Sequence, residues 1–319
     1  MSVTAATPPR RSGSVRRTTT HDCTRPEGLG GPVTIVARGR DLLTPEDGSA
    51  QVLATAQLDV QADFATATIL SMVAEPAHEG LAALAGVGAF SGFRAHVDAA
   101  MPTERDSGSV CYQLLDDLPT ALMLSGRALR VAGLGLDMKS SGKLPVDICA
   151  GWAADGTLVA GLTDQGPPLN PGPVARPVKF GNDIHAWHEF GPLAAHGTRR
   201  HRRLDIWADT HSAHVECFFR DSFADADGVE TVVHEYTVHA TVDPAASRFL
   251  SCEADAGPLP YLECPSAAAS AARLEGLTIN ELRRTVRHDF VGTSTCTHLN
   301  DTLRSLQDVG ALLDLLRHG

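Results

Sequence analysis

Arg220-Asp-Ser-Phe-Ala-Asp-Ala-Asp-Gly-Val-Glu-Thr-Val-Val-His-Glu-Tyr236 carries the same punctuation as Arg40-Asp-Leu-Leu-Thr-Pro-Glu-Asp-Gly-Ser-Ala-Gln-Val-Leu-Ala-Thr-Ala56, 180 residues earlier. Arg40-Asp41 falls on Arg220-Asp221, Asp47-Gly48 on Asp227-Gly228 and Val52 on Val232. The register holds through Asp63 and Asp243, Leu70-Ser71 and Leu250-Ser251, and Ala74 and Ala254. It resumes at a shift of 185, where Ser109-Val-Cys-Tyr-Gln-Leu114 parallels Ser294-Thr-Cys-Thr-His-Leu299 and Asp116 parallels Asp301. A constant register followed by a second matched block predicts an internal duplication.

The second copy reads more clearly. Arg203–Trp207 and His214–Phe219 largely alternate apolar with polar residues, as half-buried strands do. Ala224–Gly228 is a turn in which Gly228 can supply positive φ. Glu230–Val242, rich in β-branched residues, and Arg248–Ala254 complete a four-strand antiparallel meander. Helical segments follow: Ser266–Leu274, a stretch capped by Thr278 with Glu281 as a capping box, and a last helix opening at Gly292 with Leu299, Leu303 and Leu306 on one stripe. The expected class is α+β, with two such units packed about a pseudo-two-fold axis and burying each other's apolar sheet face. The division is a disordered tail (1–15), a first repeat (16–128), a Pro-rich connection (129–198) and a second repeat (199–319). Within the connection, Trp152–Val159 reads as a hairpin turning at Asp155-Gly156.

Composition bounds the function. The 319 residues are 43% hydrophobic with a formal net charge of -11, which supports a sizeable core and argues against nucleic acid. The run Arg199-Arg-His-Arg-Arg203 reads as a solvated strand start or linker, with an anion site as the sharper alternative. No apolar stretch is long enough to span a membrane, and the Arg-containing start lacks the apolar core of a secretory signal. Seven cysteines without a Cys-x-x-Cys pair fit reduced thiols, so the expected location is cytoplasmic.

The copies differ where chemistry could sit. Ala54, Thr55 and Ala56 become His234, Glu235 and Tyr236; Asp59 becomes His239, Val73 becomes Glu253 and Gln113 becomes His298. The candidate acid/base groups are therefore His234, Glu235, His239, Glu253 and His298, with Tyr236 as an oxyanion donor and Arg220 as the substrate-carboxylate holder. On a strand, His234 and Tyr236 share one face and Glu235 and His239 the other. Cys296, at a predicted helix start with His298 nearby, is a candidate thiolate. Cys264, Cys296 and His298 form the candidate zinc or iron ligand set. His185 and His188 look like half a metal motif but more simply flank Trp187 as an anchor over the second copy's edge. Asp225-Ala-Asp227-Gly228 lacks the later Glu of a calcium loop and reads as a turn.

Arg220-Asp-Ser222, Gly228–Tyr236, Glu263-Cys-Pro265 and Gly292-Thr-Ser-Thr-Cys-Thr-His-Leu299 together resemble a bacterial domain-of-unknown-function family over about residues 196 to 310. That resemblance implies accessory roles in the catabolism of hydrophobic or aromatic acids. The first copy departs from the motif, having Gln113 in place of the His and no counterpart of Cys264. No dinucleotide fingerprint or phosphate-binding lysine loop is present. The expected function is a lyase or isomerase without organic cofactor, acting on a small hydrophobic or aromatic acid. The alternatives are a metal-dependent enzyme or a non-catalytic binding or assembly protein; the chain could also form a homodimer.

Overall fold

A computed structural model describes residues 6–134, 144–164, 166–179 and 181–318. Eight antiparallel strands form one sheet: β1 (Ser14–Thr24), β2 (Val33–Thr44), β3 (Gln51–Asp63), β4 (Thr68–Glu75), β5 (Thr198–Ala208), β6 (Ala213–Ala224), β7 (Glu230–Asp243) and β8 (Arg248–Ala256). Their order is β4-β3-β2-β1-β5-β6-β7-β8, a palindrome about the antiparallel β1–β5 pair. The two meanders thus join edge to edge. They do not bury each other's faces as the sequence led us to expect, because each meander leaves a long strand edge that the other satisfies with backbone hydrogen bonds.

The offset of 180 residues recurs in the backbone. Register shifts fall between Asp41 and Leu42 and between Asp221 and Ser222, and again between Gln61 and Ala62 and between Thr241 and Val242. The tight turns repeat as well, with positive φ at Gly48 and Gly228 and at Ala67 and Ser247. Asp225 closes its turn by accepting from the backbone N–H groups of Asp227 and Val229.

Helices cover one face of the sheet. Those of the first half are α1 (Phe93–Ala100), α2 (Pro102–Asp106), α3 (Val110–Leu124) and α4 (Gly126–Val131); α5 (Thr157–Ala160) lies in the connection. In the second half, α6 (Leu282–Asp289), α7 (Thr297–Ser305) and α8 (Val309–His318) follow a long 3₁₀ segment, Cys264–Leu274. Two apolar cores result. One gathers Leu204, Phe219, Tyr236 and Val238 under Leu299, Leu303 and Leu312; the other gathers Ile35, Leu58 and Val60 under Phe93, Leu114 and Leu118.

The two middle strands depart from the usual apolar pattern. All of Arg199, Arg200, His201, Arg202 and Arg203 are buried within β5, so the basic run is neither a solvated linker nor an open anion site. Successive side chains alternate between faces, and each arginine meets a carboxylate. Arg200 and Arg202 meet Asp221 and Asp117 beneath the helices, and Arg199 and Arg203 meet Asp22 and Asp205 on the opposite face.

That opposite face is closed by chain expected to be a tail and a linker. Trp187 packs against His201 and Phe218 over the middle of the sheet, not over an edge, and its indole N–H donates to Thr7. Arg10 pairs with Asp183 at 2.8 Å and Ser14-Val15 already belong to β1, so the expected tail is anchored at Thr7 and Arg10 while Ala6, Pro9, Arg11 and Ser12 stay exposed; residues 1–5 lie outside the described residues. Three further local expectations need correction. Ala150–Trp152 is a 3₁₀ turn and Thr157–Ala160 a short helix, so no hairpin forms at Asp155-Gly156. Thr278 makes no side-chain cap. The helix expected from Gly292 begins at Thr297.

Candidate functional site

The site starts from a cross-strand pair. Arg200 lies opposite Asp221 across β5 and β6 and binds it with both prongs, Nε to Oδ1 at 2.9 Å and Nη2 to Oδ2 at 3.0 Å. Asp221 in turn lies opposite His234 on β7. His298, in the first turn of α7, descends onto the same carboxylate. Asp221 Oδ2 is 3.3 Å from His234 Nδ1 and 3.2 Å from His298 Nδ1. The imidazoles stack with centroids 3.7 Å apart and 22° between planes. Asp221 is fully buried, whereas the two histidine side chains keep 14% and 17% exposure, so the cluster meets solvent through its histidines.

Electrostatics set the charge states. Burial works to raise the Asp221 carboxyl, but Arg200 and the two histidines outweigh it and hold the group well below the usual carboxylate range. Burial, with His298 alongside, pushes His234 down to about 3 against the pull of Asp221. His234 is therefore a neutral imidazole at physiological pH. Its buried Nδ1 has no aligned hydrogen-bond partner.

Arg200 is held by more than Asp221. Its Nη1 reaches Asp117 at 3.3 Å and Asp301 at 3.1 Å. Asp117 is also bridged by Arg202, and Asp301 and Asp116 are shared by Arg94 and Arg304. This network ties α1, α3 and α7 to β5, joining the helices of both halves through buried ion pairs.

Asp221, His234 and His298 offer ligand atoms that all lie within 4.8 Å of one another; among the described residues they are the His, Cys, Asp and Glu set that converges in this way. The expected set of Cys264, Cys296 and His298 does not come together so. Cys264 lies near Cys296 and Cys149, but His298 does not close on them and converges instead with Asp221 and His234. Cys296 is the residue before α7, yet burial pushes its thiol up to about 11 despite the nearby N–H groups of Leu299 and His298, so it is not a thiolate at neutral pH. Cys264 is likewise pushed up by burial, to about 12.

The other predicted residues separate. Tyr236 shares the face of His234 but is fully buried, its hydroxyl 3.4 Å from the Cys264 carbonyl to which it donates. Glu235 and His239 point to the opposite face, where with Arg203, Glu216 and Asp255 they line a distinct cavity of about 330 Å³. Arg220, expected to hold a substrate carboxylate, sits on that face too and binds Glu235 at 2.6 Å. Glu253 lies across from His239 in the register of β7 and β8, exposed. His188 bonds Thr18 and Thr20 through its two ring nitrogens at 2.9 Å each; this buried structural role replaces the metal motif.

Sequence reasoning missed Asp221 and Arg200. Asp221 carried a signal, because it belongs to the Arg-Asp dipeptide shared by both copies and faces His234 across the hairpin. Arg200 was hidden in the basic run. A cavity of about 600 Å³ opens at Val232 and Val233, the residues before His234, with Pro258, Leu259 and Tyr261 also in its wall; Asp221, His234 and His298 do not line it, and among the described residues no charged side chain does.

Residues 198–311 match a family described as a protein of unknown function (DUF2889). No curated protein and no solved structure matches the chain. Among the described residues no helix is long and apolar enough to cross a membrane.

Proposed function

We propose that the second half of the sheet, which lies in the DUF2889 segment, holds a metal-dependent centre for a small molecule, with Asp221, His234 and His298 as protein ligands. The observation that carries this reading is the convergence of one carboxylate and two imidazoles, with His234 Nδ1 3.3 Å from Asp221 Oδ2 and without an aligned hydrogen bond. Two histidines and one carboxylate suit zinc and also match the ligand type of non-haem iron, leaving coordination positions for water or substrate. Such a cation would act as a Lewis acid on a bound carbonyl or would lower the pKa of a bound water.

The chain's own groups have distinct tasks in this reading. Arg200 fixes the plane of the Asp221 carboxylate, and Asp117 and Asp301 fix Arg200; these are positioning residues. Phe219 stacks on His298 with centroids 6.2 Å apart and limits its rotation.

Metal analysis of protein purified without a histidine tag tests the reading. About one equivalent of zinc or iron is expected in wild type and far less in His298→Ala and His234→Ala. Equal metal content in all three would sink it. Metal-free proton transfer of the lyase or isomerase type is the second reading. It is favoured by the tautomer in which His298 Nδ1 donates to Asp221 at 3.2 Å rather than accepting from Arg200 Nη2 at 3.3 Å, which orients the ring and leaves Nε2 as base. Full activity after chelation, lost in His298→Ala, would select it.

A further inference from the structure

The buried charges around the centre are already balanced. Four arginines (Arg94, Arg200, Arg202 and Arg304) interlock with four aspartates (Asp116, Asp117, Asp221 and Asp301) in one connected set of ion pairs. Asp221, the only anionic ligand of the proposed cation, is thereby neutralised in advance by Arg200. The other two ligands must be neutral imidazoles for a metal to bind at all. A divalent cation placed there brings two positive charges into a pocket whose protein charges, among the described residues, sum to zero. Its ligands are 0–17% exposed, so water screens that excess weakly, and uncompensated charge in such a place is costly.

A site with two or three carboxylates would supply the missing negative charge itself. Here it has to come from whatever occupies the open positions. The exposed side of the cluster is the histidine side, where Arg200 Nη2 also stands 3.3 Å from His298 Nδ1, so an incoming anion meets the cation with the guanidinium close by.

Resting on the metal reading above, we propose that the substrate of this centre is an organic anion, a carboxylate-bearing molecule, whose acid group binds together with the cation. Cation and anion then bind cooperatively, each raising the affinity for the other by the same factor.

The test is a zinc titration of the full chain by calorimetry in a sulfonate buffer, alone, with benzoate, and with the neutral isostere benzamide. Free zinc is fixed by a competing chelator in all three. Benzoate is expected to tighten zinc binding by about tenfold or more, within the usual range of coupling between sites, and benzamide is expected to leave it unchanged. The same titration of His298→Ala should show zinc binding weakened by roughly 100-fold and no coupling. Zinc affinity that is equal in all three solutions overturns the proposal while leaving the metal reading intact. Absence of zinc binding in every solution, or equal binding by His298→Ala, overturns both.

Discussion

Arg17 with Asp41, and Arg200 with Asp221, are the same device built twice. Each arginine lies opposite its aspartate across a strand pair, and each aspartate lies opposite a residue that differs between the two halves, Ala54 on β3 or His234 on β7. Each pair is two-pronged and buried. What surrounds them differs. Beside Asp41 the space is open, a cavity of about 560 Å³ lined by Ala54, Ser109, Arg283 and Asp308. Beside Asp221 it is filled by two stacked imidazoles. The arginine–aspartate pair is therefore the scaffold, and the chemistry depends on what is set against it.

The helices explain why a single substitution does not convert one into the other. Gln113 aligns with His298 in sequence but donates to Asp117, not to Asp41. The cavity beside Asp41 is bordered by Ser109 and Val110 instead, one turn earlier in α3. Gly39 on β2 allows this. A Cβ there would stand 2.5 Å from Val110, so the helix approaches a sheet position at which the second half carries Phe219. Helix and strand thus match in sequence without meeting at the same level.

The largest difference should appear on removing the arginines. Arg200→Leu leaves fully buried Asp221 without its guanidinium and weakens the hold on Asp117 and Asp301. A loss of about 3–5 kcal/mol is expected, the usual cost of breaking a buried pair, read from urea unfolding midpoints. Arg17→Leu should cost less, because Asp41 borders a water-accessible cavity and Asp308 keeps Arg283 at 2.7 Å. A greater loss for Arg17→Leu would break the ranking of the two regions.

Metal affinity comes next. His298→Ala is expected to weaken zinc binding by roughly 100-fold, equivalent to about 3 kcal/mol, while moving the unfolding midpoint by no more than about 1 kcal/mol, since the ring is partly exposed. The wild-type stoichiometry should be one, from the second half alone. Two equivalents in wild type would show that Asp41 binds as well and would remove the distinction.

Acid should discriminate by a smaller amount. The aspartates of the second network, Asp116, Asp117, Asp221 and Asp301, have folded-state pKa values held below those of free aspartate, chiefly because arginine neighbours outweigh burial; Asp116 is held at about 2. Depressed carboxylates contribute stability that is complete above the unfolded value of about 3.9 and lost as pH falls through the folded values. Asp116 alone is worth on the order of 2 kcal/mol by this linkage. Unfolding free energy measured from pH 6 to pH 2 should therefore fall steeply below about pH 4. In Asp116→Asn the fall should be shallower; an identical slope would show that the network does not couple to folding.

How much of this was legible follows from what each element answers to. The meanders and the turns at Gly48 and Gly228 were readable because alternation and turn chemistry are local. The contrasts Ala54/His234 and Gln113/His298 pointed to two of the three converging side chains. The edge-to-edge sheet was not readable, and so β5 was mistaken for a charged surface: only pairing with β1 places Arg199–Arg203 at the centre. The metal set was misassigned for a related reason. Cys264 and Cys296 stood out by residue type, whereas Asp221 matters through its cross-strand neighbours, and strand pairing is long-range information. Glu235, His239 and Arg220 sit on the far face because a strand separates neighbours that are adjacent in sequence.

The smallest expected effect tests that last point from the other side. Ala54 is exposed at the rim of the first cavity, so Ala54→His should change stability by less than about 0.5 kcal/mol. It places an imidazole opposite Asp41, with Arg17 already in position, and so recreates the strand-borne Arg–Asp–His set of the second centre without the contribution of α7. Three protein ligands are the usual minimum for a catalytic zinc site, and Ser109 and Val110 supply no third one. The variant should therefore bind one zinc per chain, like wild type, in the same calorimetric titration. A second equivalent would mean that one histidine against an arginine–aspartate pair is enough, and that the descent of His298 from α7 is not what separates the two halves.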